Sequence, residues 1–262
     1  AMVKAGSYGA GDFEVAQMLQ HQGVDYLAVA FAAEGVLLRE RGLTMPVVVL
    51  NADADSFDQM IANRLEPEIY SFRSLADFAD AVSHAGEIRY PIHLKLDTGM
   101  HRLGFMEDEI ERLCEELPKL PAVKVASVFS HLNCADMPEE DAYTRAQIAR
   151  YDRMSAAIAA SLPYPVIRHT ANSAAIERFP EAQFDMCRLG LGLYGFGWEH
   201  NAGLRPVSTL KTRIVQVKHL EAGDAVGYGR AGKLLRPTVT ATVPIGYADG
   251  LNRHLGRGNA YC

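Results

Sequence analysis

Eight short runs of apolar and β-branched residues follow one another along the chain with helical patterns between them, and this alternation limits the available folds more than any other feature. The runs are Ala1-Val3, Asp25-Ala30, Pro46-Leu50, Glu68-Tyr70, Ile92-Leu96, Val123-Phe129, Val166-His169 and Asp185-Leu189. Several are continuously apolar, such as Val47-Val48-Val49-Leu50, as expected of strands buried on both faces of a parallel sheet. Between them, Asp12 ahead of Phe13, Ala16, Met18 and Leu19 reads as a capped amphipathic helix ending near Gly23. Ser74, with Asp77 three residues on, opens another, with Leu75, Phe78, Ala79 and Val82 as its buried stripe and Gly86 at its C-terminus. A long helix spans Ala146 to Leu162. Strand alternating with helix demands parallel pairing through right-handed crossovers. Eight such units point to an α/β fold, a (β/α)8 TIM-type barrel, with a doubly wound open sheet as the alternative. After about Leu204 helix signals stop and Val/Thr-rich stretches at Val207-Lys218, Asp224-Tyr228 and Thr238-Pro244 begin, so residues 205–262 read as the start of a mainly β domain following a barrel at 1–204.

Of the 262 residues, 48% are hydrophobic and 22% charged, enough apolar material for a sizeable core. The net charge of -6 and the lack of any long basic run argue against a nucleic-acid partner or an anionic membrane surface. Cys114, Cys134, Cys187 and Cys262 form no CxxC pair, so zinc-ribbon and thioredoxin readings have no support and no metal is expected. Reduced thiols, no signal-peptide pattern and no 18-residue apolar run fit a cytoplasmic protein. The chain enters a strand at once at Ala1 and stops at Gly258-Cys262, where another strand is starting, so it reads as a segment of a longer protein.

A barrel of this kind gathers its chemistry at the carboxyl ends of the strands. The polar residues there are Lys4, Asp97 with Arg102, His131, Asn172 with Ser173, and Arg188. The loops after the seventh and eighth strands offer Asn172-Ser173 and the backbone at Gly190-Leu191, donors suited to a phosphate group. A lysine at a strand end beside such a site can form a Schiff base, although a surface lysine is the commoner explanation for any single lysine.

These residues sit in motifs. Ala1-Met2-Val3-Lys4-Ala5 followed by Tyr8-Gly9 resembles the cofactor-lysine motif of alanine racemases, and Lys95-Leu96-Asp97-Thr98-Gly99-Met100-His101-Arg102-Leu103-Gly104 resembles their KxDTGMxRxG segment. His169-Thr170-Ala171-Asn172-Ser173, Arg188-Leu189-Gly190-Leu191-Gly192-Leu193-Tyr194-Gly195, Val226-Gly227-Tyr228-Gly229 and Pro244-Ile245-Gly246-Tyr247-Ala248-Asp249-Gly250 continue the series in order. The resemblance implies pyridoxal 5'-phosphate held by Lys4, which also acts as acid and base on one face of the cofactor. It implies that Tyr228 serves the opposite face in a partner subunit's site, backed by His131 and Arg188, so that the active unit is a homodimer with shared sites. Arg188 then meets the pyridine nitrogen and keeps it unprotonated, weakening the ring as an electron sink and suppressing transamination. Arg102 binds near the cofactor's phenolic oxygen and the substrate carboxylate, with Lys95 at a position often carbamylated in the family. Tyr8, Ser173, Gly190 and Leu191 hold the phosphate, Asn172 adjoins the cofactor, and Tyr247 lines the substrate entrance. In the family pattern a Met-Asp pair and a late tyrosine fall beyond Cys262.

Each assignment has a plainer competitor: an ion pair of Arg188 with Asp185, of Lys95 with Asp97, a core histidine at 131, core tyrosines at 8 and 247, a helix-capping Ser173 and a tight-turn Gly190. The implied activity is interconversion of L- and D-alanine, supplying D-alanine for peptidoglycan of the cell wall. The alternatives are a non-catalytic pyridoxal-phosphate-binding homeostasis barrel, a broad-specificity amino-acid racemase, and a decarboxylase. The last would need a carboxylate where Arg188 stands.

Overall fold

In a computed structural model of the chain, residues 1–198 and 203–256 are described. Cys262 and the strand expected at 258–262 lie outside the described residues. The chain divides into two compact units, Ala1–Val207 and Ser208–Cys262.

In the first unit, six strands form one parallel sheet in sequence order: β1 (Leu27–Val29), β2 (Val47–Val49), β3 (Glu66–Ile69), β4 (Tyr90–Lys95), β5 (Val123–Phe129) and β6 (Ile167–His169). β1, β2 and β6 are shorter than the runs that announced them, β5 coincides with its run, and β3 and β4 each begin two residues before theirs. The two remaining runs carry no ladder, yet their backbones close the ring. Met2 bridges to Ala28 in parallel, and Val3 N–H donates to Ala28 O at 2.9 Å. Met2 N–H donates to Leu189 O at 2.9 Å. Asp185 N–H donates to Arg168 O at 3.0 Å and Arg188 N–H to Ala171 O at 3.0 Å. Backbone hydrogen bonds therefore run from β1 through β6 and the 185–189 segment back to Met2, a TIM-type barrel.

Helices cover the outside, and three begin where the sequence pattern did not put them. Asp12 is the first residue of the helix Asp12–His21 and makes no capping bond, since Gly11 occupies the cap. The helix Phe72–His84 starts three residues earlier than expected. Its cap is Ser71, whose Oγ accepts from Ser74 N–H at 3.1 Å, while Ser74 Oγ accepts from Ser71 N–H at 3.1 Å. That reciprocal pair satisfies two otherwise orphan donors, and Ser74 serves it from the third helical position. The long helix runs Asp141–Ser161, beginning a turn before the expected Ala146 because Asp141-Ala142-Tyr143-Thr144-Arg145 has no apolar stripe to announce it.

The second unit holds two antiparallel pairs, β7 (Gln216–Leu220) with β10 (Thr238–Thr242) and β8 (Ala225–Val226) with β9 (Gly232–Lys233). Of the Val/Thr-rich stretch beginning at Val207, only its end from Gln216 forms a strand. Among the described residues no helix is long and apolar enough to cross a membrane.

The core sits between sheet and helices. Phe78 is fully buried there, edge-on to the rings of Phe57 and Tyr90 at 5.0 and 5.5 Å. Phe78→Ala is expected to destabilise the barrel unit by about 3–5 kcal/mol, the range for deleting a buried aromatic side chain. A urea titration of the barrel's unfolding that moved by less than a quarter of this would show that the site is not part of the cooperative core.

Candidate active site

The chain leaves the first barrel run through an unusual backbone. Ala5, Gly6 and Ser7 have φ/ψ near 53/50, 61/41 and 54/49, and Tyr8 follows at φ 57. Ser7 N–H donates to Val3 O and Gly9 N–H to Ala5 O, so this is a left-handed helical turn. For a residue with a Cβ that conformation costs about 1–2 kcal/mol, and three of the four have one. Glu34 braces the turn. Its Oε1 accepts from Ala5 N–H at 2.7 Å, and its Oε2 accepts from Ala30 and Phe31 N–H at 2.6 and 3.0 Å. The turn directs Lys4 and Tyr8 toward one cavity of about 700 Å³, which they help to line.

Lys95, Arg102, His131, Asn172, Ser173, Arg188, Gly190 and Leu191 line the same cavity, so ten of the residues singled out in the sequence converge. Tyr228 and Tyr247 belong to the second unit, where they are 86% and 65% exposed.

The loop after β4 shows why glycine recurs in its motif. Asp97 Oδ1 accepts from Gly99 and His101 N–H at 2.9 and 3.0 Å, folding the loop over its own start. Gly104, at φ 128, packs so closely that a Cβ would lie 2.6 Å from Asp97 N and 2.7 Å from Leu96 C. Asp97 is thus a loop organiser rather than the partner of Lys95. The Lys95 ammonium lies 4.5 Å above the Phe129 ring. Burial lowers its pKa, with Glu68 and, more weakly, Asp97 opposing and Arg188 and Arg102 reinforcing that trend. Burial raises the carboxyl of Glu68, against the pull of the same three cations. Glu68 also lines the cavity and went unnoticed in the sequence, where it opens an expected strand. The signal available was a charge two residues from Glu66 on one face of a buried strand.

Arg188 reaches acceptors on both neighbouring strand ends. Nη1 donates to His169 Nδ1 at 3.0 Å and His169 O at 3.2 Å, and Nη2 to Ser130 O, Thr170 O and, at 3.3 Å, His131 Nδ1. No carboxylate is among these partners. Asp185 instead accepts from Arg168 N–H at 2.8 Å, which removes the alternative of an Arg188–Asp185 pair. Burial draws the guanidinium down to about 10, far enough above neutrality that it stays charged. Burial, with the Arg188 charge beside it, pushes His131 down to about 3. A guanidinium can only donate, so His131 is neutral, accepts at Nδ1 and carries its proton on Nε2.

Asn172, not Ser173, caps the helix Ser173–Arg178, its Oδ1 accepting from Ala175 N–H at 3.0 Å. Its Nδ2 donates to Leu132 O at 2.9 Å and so ties the loop after β6 to that after β5. Ser173 Oγ accepts from Gly190 and Gly192 N–H at 3.1 and 3.0 Å. Both lone pairs are then taken, and what the hydroxyl can offer a ligand is its proton. Tyr8 is no core tyrosine: it is 42% exposed, its ring 4.9 Å from that of Tyr194.

A closed barrel with its charged groups gathered in one cavity at the strand ends defines an enzyme of the α/β-barrel class. Comparison with known proteins narrows the class. The family described as "Alanine racemase, N-terminal domain" matches residues 1–197, and "Alanine racemase, C-terminal domain" matches 207–262. The alanine racemase of Symbiobacterium thermophilum is 39% identical over 97% of this chain and 68% of its own length. The crystal structure of alanine racemase from D-cycloserine-producing Streptomyces lavendulae superposes with a TM-score of 0.89 at 31% identity, covering 98% of this chain and 70% of that one. That of Bartonella henselae, solved with covalently bound pyridoxal phosphate, gives 0.82 at 26% identity, covering 97% and 70%. The chain belongs to the alanine racemase family of isomerases.

The depressed His131 has a consequence for stability. Between its unfolded pKa near 6.5 and about 3, the unfolded chain binds a proton that the folded chain refuses. Stability must therefore fall as pH drops through that window. His131→Gln is expected to flatten the decline. Equal slopes of urea midpoint against pH for both proteins between pH 6.5 and 4 would contradict a neutral buried imidazole.

Proposed function

We propose that this chain racemises alanine with pyridoxal 5'-phosphate as cofactor, and that Lys4 carries the cofactor covalently. The observation behind this is the convergence of Lys4, Arg188 and Ser173 on one cavity in a member of this family. The donor set suits the group: an amine to attach it, hydroxyls of Tyr8 and Ser173 with the Gly190-Leu191 backbone for a phosphate, and a cation for a ring nitrogen. Glycine at 190 also lets the Tyr8 hydroxyl come close to this backbone, since a Cβ there would meet Tyr8 Oη at 3.1 Å.

When bound, the cofactor supplies an electron-withdrawing ring that acidifies the α-hydrogen of the substrate. The protein's residues do the rest. Lys4 Nζ takes or returns a proton on one face. Tyr228, lent by a second copy of the chain in a homodimer, serves the other, as inversion at the α-carbon requires two bases. The neutral His131 offers its Nε2–H to that phenol, lowering the cost of deprotonating it. Arg188 donates to the pyridine nitrogen and leaves it unprotonated, which favours return of the proton to the α-carbon over transamination. Arg102 meets the substrate carboxylate, Tyr247 lines the entrance, and Asn172 holds the loop that carries Ser173. D-alanine made this way supplies peptidoglycan in the cytoplasm. Residues 1–204 bind the cofactor and residues 205–262 bring Tyr228.

Burial draws the Lys95 ammonium down to about 8, so it gives up its proton more readily, as carbamylation requires. Equilibration with 13C-bicarbonate is expected to give a carbamate carbon signal that Lys95→Gln lacks; an identical spectrum from both proteins would refute the modification.

The cofactor assignment is tested by borohydride reduction of the protein with pyridoxal phosphate and mass mapping of the labelled lysine. Label on Lys4, and its loss in Lys4→Ala, are expected, as is exchange of the α-hydrogen of alanine in D2O. If Lys4→Ala still forms the reduced adduct, Lys4 is not the attachment point.

A further inference from the structure

The barrel interior contains a line of polar groups that the reaction above does not use. It begins at Glu66 on β3, whose Oε2 is 2.8 Å from His93 Nε2 on β4. His93 Nδ1 is 2.6 Å from Ser127 Oγ on β5. The same Ser127 Oγ is 2.9 Å from His169 Nε2 on β6. His169 Nδ1 accepts from Arg188 Nη1 at 3.0 Å. One residue from each consecutive strand is enlisted, ending on the segment that closes the barrel. His93, Ser127 and His169 are all nearly or fully buried, so no water competes for these bonds.

From these contacts we infer that Glu66, His93, Ser127 and His169 form a directed hydrogen-bond relay that positions Arg188, making the four of them positioning residues for the guanidinium. The direction follows from the donors. Arginine can only donate, so His169 Nδ1 is an acceptor and the ring's proton is on Nε2. That proton goes to Ser127 Oγ, whose own proton goes to His93 Nδ1. His93 must then carry its proton on Nε2, where the Glu66 carboxylate accepts it. Each group is satisfied in one arrangement, with a cation at one end and an anion at the other. Burial and the Arg188 charge hold His169 well below the usual imidazole range, in line with a neutral ring.

Local structure is adapted to this line. The β4–β5 register shifts after Ile92↔Val125, so that His93 pairs with Ser127 and Ala126 is skipped. The bulge brings the hydroxyl opposite the imidazole. Phe129 stacks on the His169 ring at 5.0 Å and 3°, and Tyr26 meets the His93 ring edge-on at 5.6 Å, fixing both ring planes. All five direct acceptors of Arg188 are uncharged, and the relay gives the cation a hydrogen-bonded path to a carboxylate.

The consequence for the reaction rests on the reading of Arg188 as the partner of the cofactor's ring nitrogen. The relay itself does not, and the test separates them. Long-range 1H–15N spectra of the 15N-histidine-labelled chain report which ring nitrogen carries the proton, with no cofactor required. His93 and His169 are expected as neutral Nε2–H tautomers. Glu66→Gln, which keeps an acceptor but removes the charge, is expected to shift the His169 ring signals although it does not touch that ring, and Ser127→Ala is expected to abolish that response. A proton on Nδ1 of either ring, or a Glu66→Gln response at His169 undiminished by Ser127→Ala, overturns the relay. Should Ser127→Ala not fold, the tautomers of the unaltered chain and the response to Glu66→Gln alone decide. With cofactor bound, Ser127→Ala is expected to raise the pyruvate released per racemisation event several-fold while KM for alanine stays unchanged. An unaltered ratio overturns the positioning role. Failure of the Lys4 labelling would instead sink the cofactor reading and leave the ring spectra as they are.

Discussion

Every acceptor that the guanidinium of Arg188 reaches belongs to the ends of the two strands beside it, Ser130 and His131 after β5, His169 and Thr170 at the end of β6. A lysine could not do this, because a single ammonium lacks the planar fork that serves several acceptors at once. The contact therefore does two things together. It fixes the 185–189 segment, which has no ladder of its own, against the sheet, and it pins a charge at the floor of the cavity. The protonation states of His131 and His169 both follow from the fact that this neighbour donates and never accepts.

Closure at the other side is equally sparse. Met2 bridges Ala28 on one side and donates to Leu189 on the other, and Tyr194 Oη holds Met2 O at 2.8 Å. Immediately beyond, the left-handed turn from Ala5 to Tyr8 points Lys4 and Tyr8 toward the cavity at a cost in backbone strain. Strain of this kind persists where surrounding contacts over-determine the conformation, and the carboxylate of Glu34 supplies such contacts from the neighbouring helix start. Rigidity at the strand ends and strain in the turn are complementary: the sheet furnishes the anchor against which the turn is held.

The charge of the cavity also follows from these placements. Lys4, Lys95, Arg102 and Arg188 line it against Glu68 and Asp136. An excess of positive charge around one cavity favours anions such as phosphate and carboxylate, and it depresses any imidazole within reach. His131 registers this on top of the larger effect of its own burial.

Much of this protein could be read from the order of its residues. Apolar runs of strand length alternating with amphipathic stripes dictated parallel strands with crossover helices, because period 2 and period 3.6 patterns bury different faces. The chemistry-bearing residues could be named because a parallel barrel brings strand ends together whatever the loops do. What only the tertiary structure decided was which groups meet. Asp97 turned inward to its own loop, Asp185 bound a backbone amide, Ser71 displaced Ser74 as the cap, and Glu68 joined the cavity from inside a strand. The left-handed turn after Lys4 and the bulge that sets Ser127 against His93 have no signature in composition or periodicity. Both depend on where a neighbouring segment, distant in sequence, offers a hydrogen bond, and a pattern read along one chain carries no information about that distance.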